Sequence, residues 1–150
     1  MPLKGIPFVI SPELLQVLSA AGHGDEIVLA DAHFPVSSIC RHGPREIRAD
    51  GHNIPILLEA ILQLYPLDTY VDAPVALMQR VPEDQERDLQ VWVWPIYQDL
   101  ANKAEGKKIE MEYVERFAFY ERAKKAFAIV ATGETAQYGN IILKKGCVLQ

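Results

Sequence analysis

At 150 residues the chain has the length of one domain, and the whole span is read as such, with enough chain to bury a real core. Apolar residues make up 49% and charged residues 23%, an ordinary globular balance. Fifteen basic against twenty acidic side chains leave a net charge of −5. That argues against a nucleic-acid backbone as partner, and no apolar run nears the ~20 residues of a membrane helix. Residues 1–7 lack the charged-then-apolar order of a signal segment. Two cysteines, Cys40 and Cys147, without Cys-x-x-Cys spacing, read as reduced thiols of a cytoplasmic protein.

In chain order, Ser11-Pro12-Glu13 reads as a helix start, with serine at the N-cap, proline in the first position and an acid in the first turn. Leu14, Leu15 and Leu18 form its apolar face, and Gly22 suits the left-handed position at its C-terminus. Residues 26–31 read as a short buried strand. Residues 33–45, with Pro35, Gly43 and Pro44, read as a loop, and 46–48 as a short strand. Asn53 caps a helix whose stripe is Ile56, Leu57, Ala60, Ile61 and Leu64, stopped by Tyr65-Pro66. Residues 74–80 read as another buried strand. Pro82-Glu83-Asp84 can open a helix. Residues 97–104 read as helical, closing at Gly106, 109–113 as strand, 115–125 as helix, 126–132 as strand ended by Gly133, and 138–143 as a turn running into a strand. The alternation predicts an α/β fold: a mostly parallel sheet with helices on both faces, in a Rossmann-like three-layer arrangement. Trp92, Trp94 and Tyr97 fit either a subunit interface or core packing.

Gly22-His23-Gly24 followed by a short apolar run ending on Asp31 is the most informative stretch. It is expected to bring an imidazole and a carboxylate to one end of a sheet, where α/β proteins bind ligands. Histidine gives and takes protons near neutral pH, so His23 is a candidate for proton transfer. Asp31 either caps the following turn or accepts from substrate hydroxyls. Asp68 carries the same two readings. Arg116 and Tyr120 are four apart and share one side of a helix. The bland alternative there is a half-buried face of Phe117, Tyr120 and Lys124. Tyr120 and Tyr138 each offer a hydroxyl able to donate to or accept from a sugar oxygen. His33, His42 and His52 lack metal-ligand spacing and read as loop residues. No phosphate-binding glycine loop, Walker lysine or serine-hydrolase elbow is found. No metal and no cofactor is therefore expected, and proton chemistry on a neutral, polar small molecule is.

The segments L-K-G-I-P (3–7), G-H-G-D-E-I-V-L-A-D-A-x-F-P (22–35), E-I-R-A-D-G (46–51), L-D-T-Y-V (67–71), E-R-F-A-F-Y-E-R-A-K-K-A-F-A-I-V-A-T-G-E (115–134) and Y-G-N-I-I-L-K-K-G (138–146) together resemble the family of L-fucose mutarotases and D-ribose pyranases. Y-G-N and F-Y-E-R-A-K are similar to its fucose branch, of the animal type. The resemblance implies an isomerase that interconverts the α and β anomers of a monosaccharide by acid/base ring opening. His23 falls on the family's proton donor, and Asp31, Asp68, Arg116, Tyr120, Tyr138 and Asn140 on its sugar-contacting or catalytic positions. His33 stands where the fucose branch often has asparagine. Residues 82–108 match only loosely, and nothing is carried over there. The resemblance also implies a homo-oligomer, a ring decamer or smaller, with sites near subunit contacts. Pyranose–furanose interconversion of D-ribose, and sugar binding without turnover, remain alternatives.

Overall fold

The computed structural model describes residues 3–150. Met1 and Pro2, the start of the stretch read for a signal segment, lie outside the described residues. Twelve elements follow in order: α1 Pro12–Ala20, β1 Glu26–Ala30, α2 Val36–Cys40, β2 Arg45–Ala49, α3 Ile54–Leu62, β3 Val75–Met78, α4 Pro82–Glu86, α5 Val93–Glu105, β4 Met111–Val114, α6 Arg116–Ala123, β5 Ala128–Thr132 and β6 Ile141–Lys144.

Helix starts follow the caps read from sequence. The Ser11 side chain accepts from the Leu14 N–H at 3.1 Å, and Asn53 accepts from the Ile56 N–H at 3.1 Å, each satisfying a first-turn donor that lacks an intrahelical partner. The end of α1 differs from expectation. Ala21 caps it in extended backbone, Gly22 donates its N–H to the Asp25 carboxylate, and the left-handed residue is Gly24, at φ 87°. Residues 33–45 contain the short helix α2, because Val36 and Ile39 have a sheet face to pack on. Helix α5 starts at Val93, four residues before its expected onset, with Val93, Tyr97 and Ala101 on its buried side. Tyr97 is therefore core, whereas Trp92 is exposed.

One six-stranded sheet runs in the order β2-β5-β1-β6-β3-β4. Strands β2, β5 and β1 pair in parallel, as do β3 and β4. Strand β6 lies antiparallel between β1 and β3, so five strands share one direction and β6 opposes them. Alternate strand residues feed two cores. Ile27, Leu29, Leu77, Val130 and Leu143 pack under α1, α3 and α5, while Val28, Ala30, Ala76, Ile129 and Ile142 pack under α2 and α6. The expected three layers are present. Continuous burial along β1, β3 and β5 is what a sheet covered on both faces demands.

The turn leaving β5 is pinned against the turn before α3. Gly133 donates to the His52 carbonyl at 2.8 Å, and a Cβ on Gly133 would overlap the Asp50 carbonyl oxygen. Backbone cannot swing aside as a side-chain tip can. Gly133→Ala is expected to destabilise the fold by about 1–3 kcal/mol, read as a lower urea midpoint at unchanged slope.

Candidate functional site

An open cavity of about 350 Å³ lies at the C-terminal ends of the parallel strands, lined by Asp31, His33, Phe34, Met78, Val81, Arg116, Tyr120, Gln137, Tyr138 and Asn140. Its volume is at the small end of the ~300–1,000 Å³ typical of ligand pockets, suited to a single sugar ring. Four segments meet there. Asp31 to Phe34 follow β1, Met78 and Val81 end and follow β3, Arg116 and Tyr120 lie on α6 just after β4, and Gln137 to Asn140 precede β6. The antiparallel run of β6 supplies the last of these: its first residue, Ile141, sits opposite Leu29 and Leu77.

Asp31 is buried, caps the turn as one of its two readings expects, and faces the cavity. Its Oδ1 accepts from the His33 N–H at 3.0 Å, fixing the turn after β1, and the residue lines the cavity. Its backbone N–H donates to Asn140 Oδ1 at 2.7 Å. That bond orients the amide, since an N–H must meet an oxygen, and leaves the Asn140 NH2 group without a protein partner among the described residues. Burial pushes the Asp31 carboxyl above the usual carboxylate range, against the opposing His33 and Phe34 hydrogen bonds and the charge of His33.

The two phenols differ. Arg116 Nε donates to Tyr120 Oη at 3.1 Å, as their spacing on one helix side predicts, and the guanidinium sits over the Phe117 and Tyr120 rings. Tyr120 thus accepts from the protein and keeps its own proton for a ligand. Tyr138 accepts from the Val81 N–H at 3.2 Å and donates to Asp84 Oδ2 at 2.5 Å. Burial and the Asp84 hydrogen bond raise the Tyr138 phenol above its ordinary range. The residue itself is left-handed, at φ 57°, a conformation costing roughly 1–2 kcal/mol for a side chain of this size. The Trp94 indole N–H, 2.9 Å from the Tyr138 carbonyl, and the Tyr97 hydroxyl, 2.8 Å from the Gly139 carbonyl, hold it there.

His23 is not in this cavity. It precedes β1 whereas Asp31 follows it, so a strand of five residues and roughly 17 Å of extended chain separate the two ends. The expectation that the pair meets at one end of the sheet is overturned for a single chain. At the opposite edge His23 Nε2 lies 3.0 Å from Asp68 Oδ1, with side chains 45% and 4% exposed respectively. The Tyr70 N–H donates to the same oxygen at 3.0 Å, and the Tyr70 ring packs 5.2 Å from the imidazole. Burial pushes the Asp68 carboxyl up, but the Tyr70 and His23 hydrogen bonds and the charges of His23 and Lys144 outweigh it, so it sits below the usual range. An ionised Asp68 selects the His23 tautomer with its proton on Nε2, leaving Nδ1 as the acceptor. Asp68, expected to contact substrate, positions the histidine in this chain.

His33, read as a loop residue, lies in a loop and lines the cavity. Of the half-buried face offered as the bland alternative, Tyr120 and Lys124 are half-buried, whereas Phe117 is exposed and the fully buried side of α6 is Phe119 with Ala123. Two acids went unassigned from sequence. Asp84 lies in the stretch read only as a helix start. Glu134 is buried and accepts from the Ile54 and Ala136 N–H groups, tying the loop before β6 to the N-terminus of α3. An acid just beyond a buried strand is the signal that singled out Asp31, and it applies equally to Glu134. No cluster of three or more His, Cys, Asp or Glu side chains suited to a metal occurs among the described residues.

A carboxyl raised on folding binds its proton more tightly in the native state, so it costs stability above its native pKa, and the cost fades as pH falls through that value. Asp31→Asn keeps an oxygen for His33 and removes the buried charge. It is expected to raise the Tm at pH 7, with the gain shrinking toward pH 4. Thermal melts at the two pH values check the sign.

The sequence model of the RbsD / FucU transport protein family matches residues 4–148. Fucose mutarotase of Mus musculus is 66% identical over 144 residues, covering 96% of this chain and 94% of that protein. Fucose mutarotase of Homo sapiens is 62% identical over 144 residues, covering 96% and 93%. Among solved structures, the fucose mutarotase of Streptococcus pneumoniae in complex with L-fucose superposes with a TM-score of 0.89 at 50% identity, covering 98% of this chain and all of that one. A match over almost the whole length, at such identity and with the same fold, places this chain in the RbsD / FucU family.

Proposed function

We propose that the protein is a fucose mutarotase, an isomerase that interconverts the α and β anomers of L-fucose, with the whole chain as its catalytic domain. The observation that carries this is the cavity at the strand ends, where one free phenol proton, one free amide and one buried carboxylate converge at Tyr120, Asn140 and Asp31. Relatives 62–66% identical are named for this reaction, and the similar solved structure has L-fucose bound. Asp31, Asn140 and Arg116 orient the sugar hydroxyls. Apart from its bond to Tyr120, Arg116 donates to no group among the described residues, so its terminal nitrogens remain for the ligand. A base takes the proton of the anomeric hydroxyl as an acid protonates the ring oxygen. The bond from the anomeric carbon to the ring oxygen breaks and a carbonyl forms. Rotation and reclosure on the other face give the second anomer. Two such groups supply roughly 10²–10⁴-fold each, enough for a reaction that already runs unaided in water.

The proton-transfer pair is His23 and a tyrosine, and we assign Tyr120, whose proton is free, ahead of Tyr138, whose proton is engaged. Since His23 and the cavity lie at opposite ends of the strands of one chain, we assign the imidazole to the cavity of a neighbouring copy in a homo-oligomer. Exposed aromatic side chains beside each, Tyr70 at His23 and Phe117 at Tyr120, provide apolar surface for that contact. No helix is long and apolar enough to cross a membrane among the described residues. Cys40 and Cys147 are both free, which fits a reducing compartment, and we assign the cytoplasm.

Saturation-transfer NMR on the L-fucose anomers tests the assignment. His23→Ala is expected to remove most of the added exchange with the fold intact, and unchanged exchange rejects His23. A second measurement separates one-chain from two-chain sites. His23→Ala and Tyr120→Phe, each inactive alone, are mixed after dissociation and reassembled. A site built from two copies regains about a quarter of wild-type activity on statistical mixing, whereas a site within one chain regains none. D-Ribose run in parallel shows whether the same cavity prefers the pyranose–furanose reaction.

A further inference from the structure

Helix α4 buries none of its side chains fully, yet one of its carboxylates bonds Tyr138, which lines the cavity. The two oxygens of Asp84 are divided. Oδ1 accepts from Arg87 Nε at 2.8 Å, and Oδ2 accepts the Tyr138 phenol at 2.5 Å. The direction of that second bond is forced. The Val81 N–H can only donate, so Tyr138 Oη accepts there. The single phenol hydrogen is left for Asp84, which when ionised can only accept. The Tyr138 hydrogen bond and the charge and hydrogen bond of Arg87 hold Asp84 below the usual carboxylate range against its partial burial, so it is ionised at neutral pH.

We propose that Asp84 is a positioning residue that commits Tyr138 to accept, never to donate, its hydrogen bond with the sugar. The inference rests on the reading of this cavity as a sugar site. A phenol oxygen whose proton is drawn toward a carboxylate carries more negative charge and accepts more strongly. Of the two cavity tyrosines, each accepting one hydrogen bond from the protein, Asp84 thereby makes Tyr138 the acceptor toward the sugar and leaves Tyr120 the donor. The sugar must then turn a hydroxyl hydrogen toward Tyr138 and a lone pair toward Tyr120, which selects one way of seating the ring. A phenol without the carboxylate would serve either orientation.

The other charged or titratable groups around the phenol are Arg87 after α4, Arg80 after β3, Arg116 and Tyr120 on α6, and Asp31 and His33 after β1. All remain when Asp84 is replaced. The test follows the Tyr138 ring carbon by NMR in protein labelled at tyrosine, assigned with Tyr138→Phe, together with anomer exchange. In Asp84→Ala the Tyr138 titration is expected to move down toward the ordinary phenol range, and the exchange rate at saturating L-fucose to fall about tenfold with a smaller change in KM. Asp84→Asn, whose amide oxygen still accepts the phenol proton, is expected to recover part of that loss and to titrate between the two. In a Tyr138→Phe background Asp84→Ala is expected to add no further loss. The proposal is overturned if Asp84→Ala leaves the Tyr138 titration in place. It is equally overturned if Asp84→Ala costs as much without the phenol as with it, which would make Asp84 a strap for α4 alone. If the wild-type protein accelerates no anomer exchange but the titration still responds to Asp84, the positioning stands and the mutarotase reading falls.

Discussion

A strand running against its neighbours is the constraint from which the site follows. Parallel strands deliver the chain to one edge of a sheet and then leave it through helices. Strand β6 enters from that same edge, between β1 and β3, and its preceding loop has to lie across the open ends of both. The Asp31 N–H to Asn140 Oδ1 bond, at 2.7 Å, locks this loop to the end of β1. Glu134 and Gly133 lock its far side to the turn before α3. The loop that closes the cavity is therefore held by backbone and by the short side chain of Asn140 at one end and by Glu134 at the other, the kind of support that keeps a site's geometry fixed.

Strain and hydrogen bonding then separate the roles of chemically equal residues. Tyr120 stands on a regular helix and takes a hydrogen bond from Arg116 one turn before it. Tyr138 sits in left-handed backbone at a loop, where the surrounding Trp94 and Tyr97 hydrogen bonds and the packing of Gly139 against Ala136 and Glu134 outweigh the local cost. Such over-determined outliers gather at functional sites. The carboxylates divide in the same way. Asp31 is raised by its burial, which outweighs its backbone hydrogen bonds, whereas Asp68 and Asp84 are held low by direct bonds that include those to His23 and Tyr138. One side-chain type thus lines the cavity as a buried carboxyl, orients a histidine and takes a phenol hydrogen bond.

The placement of His23 and of the cavity at opposite ends of the strands has a consequence for assembly. A histidine held by a buried carboxylate, with no partner for its second nitrogen among the described residues and nearly half the side chain exposed, is arranged for something outside its own chain. With exposed aromatics on both edges, a homo-oligomer that brings unlike edges together covers apolar surface and completes the chemistry in one step. Catalysis would then depend on association, and each chain would contribute a half-site at either end of its sheet.

Local patterns carried the elements. Ser11 and Asn53 bond first-turn N–H groups within three residues, so both helix starts were legible, as was the i,i+4 contact of Arg116 with Tyr120. The three-layer α/β arrangement followed from short apolar runs alternating with helical stripes, and the family from motifs spread along the chain. The antiparallel course of β6 was not legible, because a buried strand has the same composition in either direction. Nor was helix α2 or the early start of α5, which owe their turns to the sheet face beneath them. Asp84 and Tyr138 are 54 positions apart, and no spacing rule joins residues so distant. The placement of His23 at the other edge from Asp31 was within reach of simple arithmetic, since residues that bracket a strand lie at its two ends. Sequence by itself determined which titratable and hydrogen-bonding side chains are available, because that depends on residue type. Only the tertiary structure decided which of them meet, because that depends on strand direction and long-range pairing.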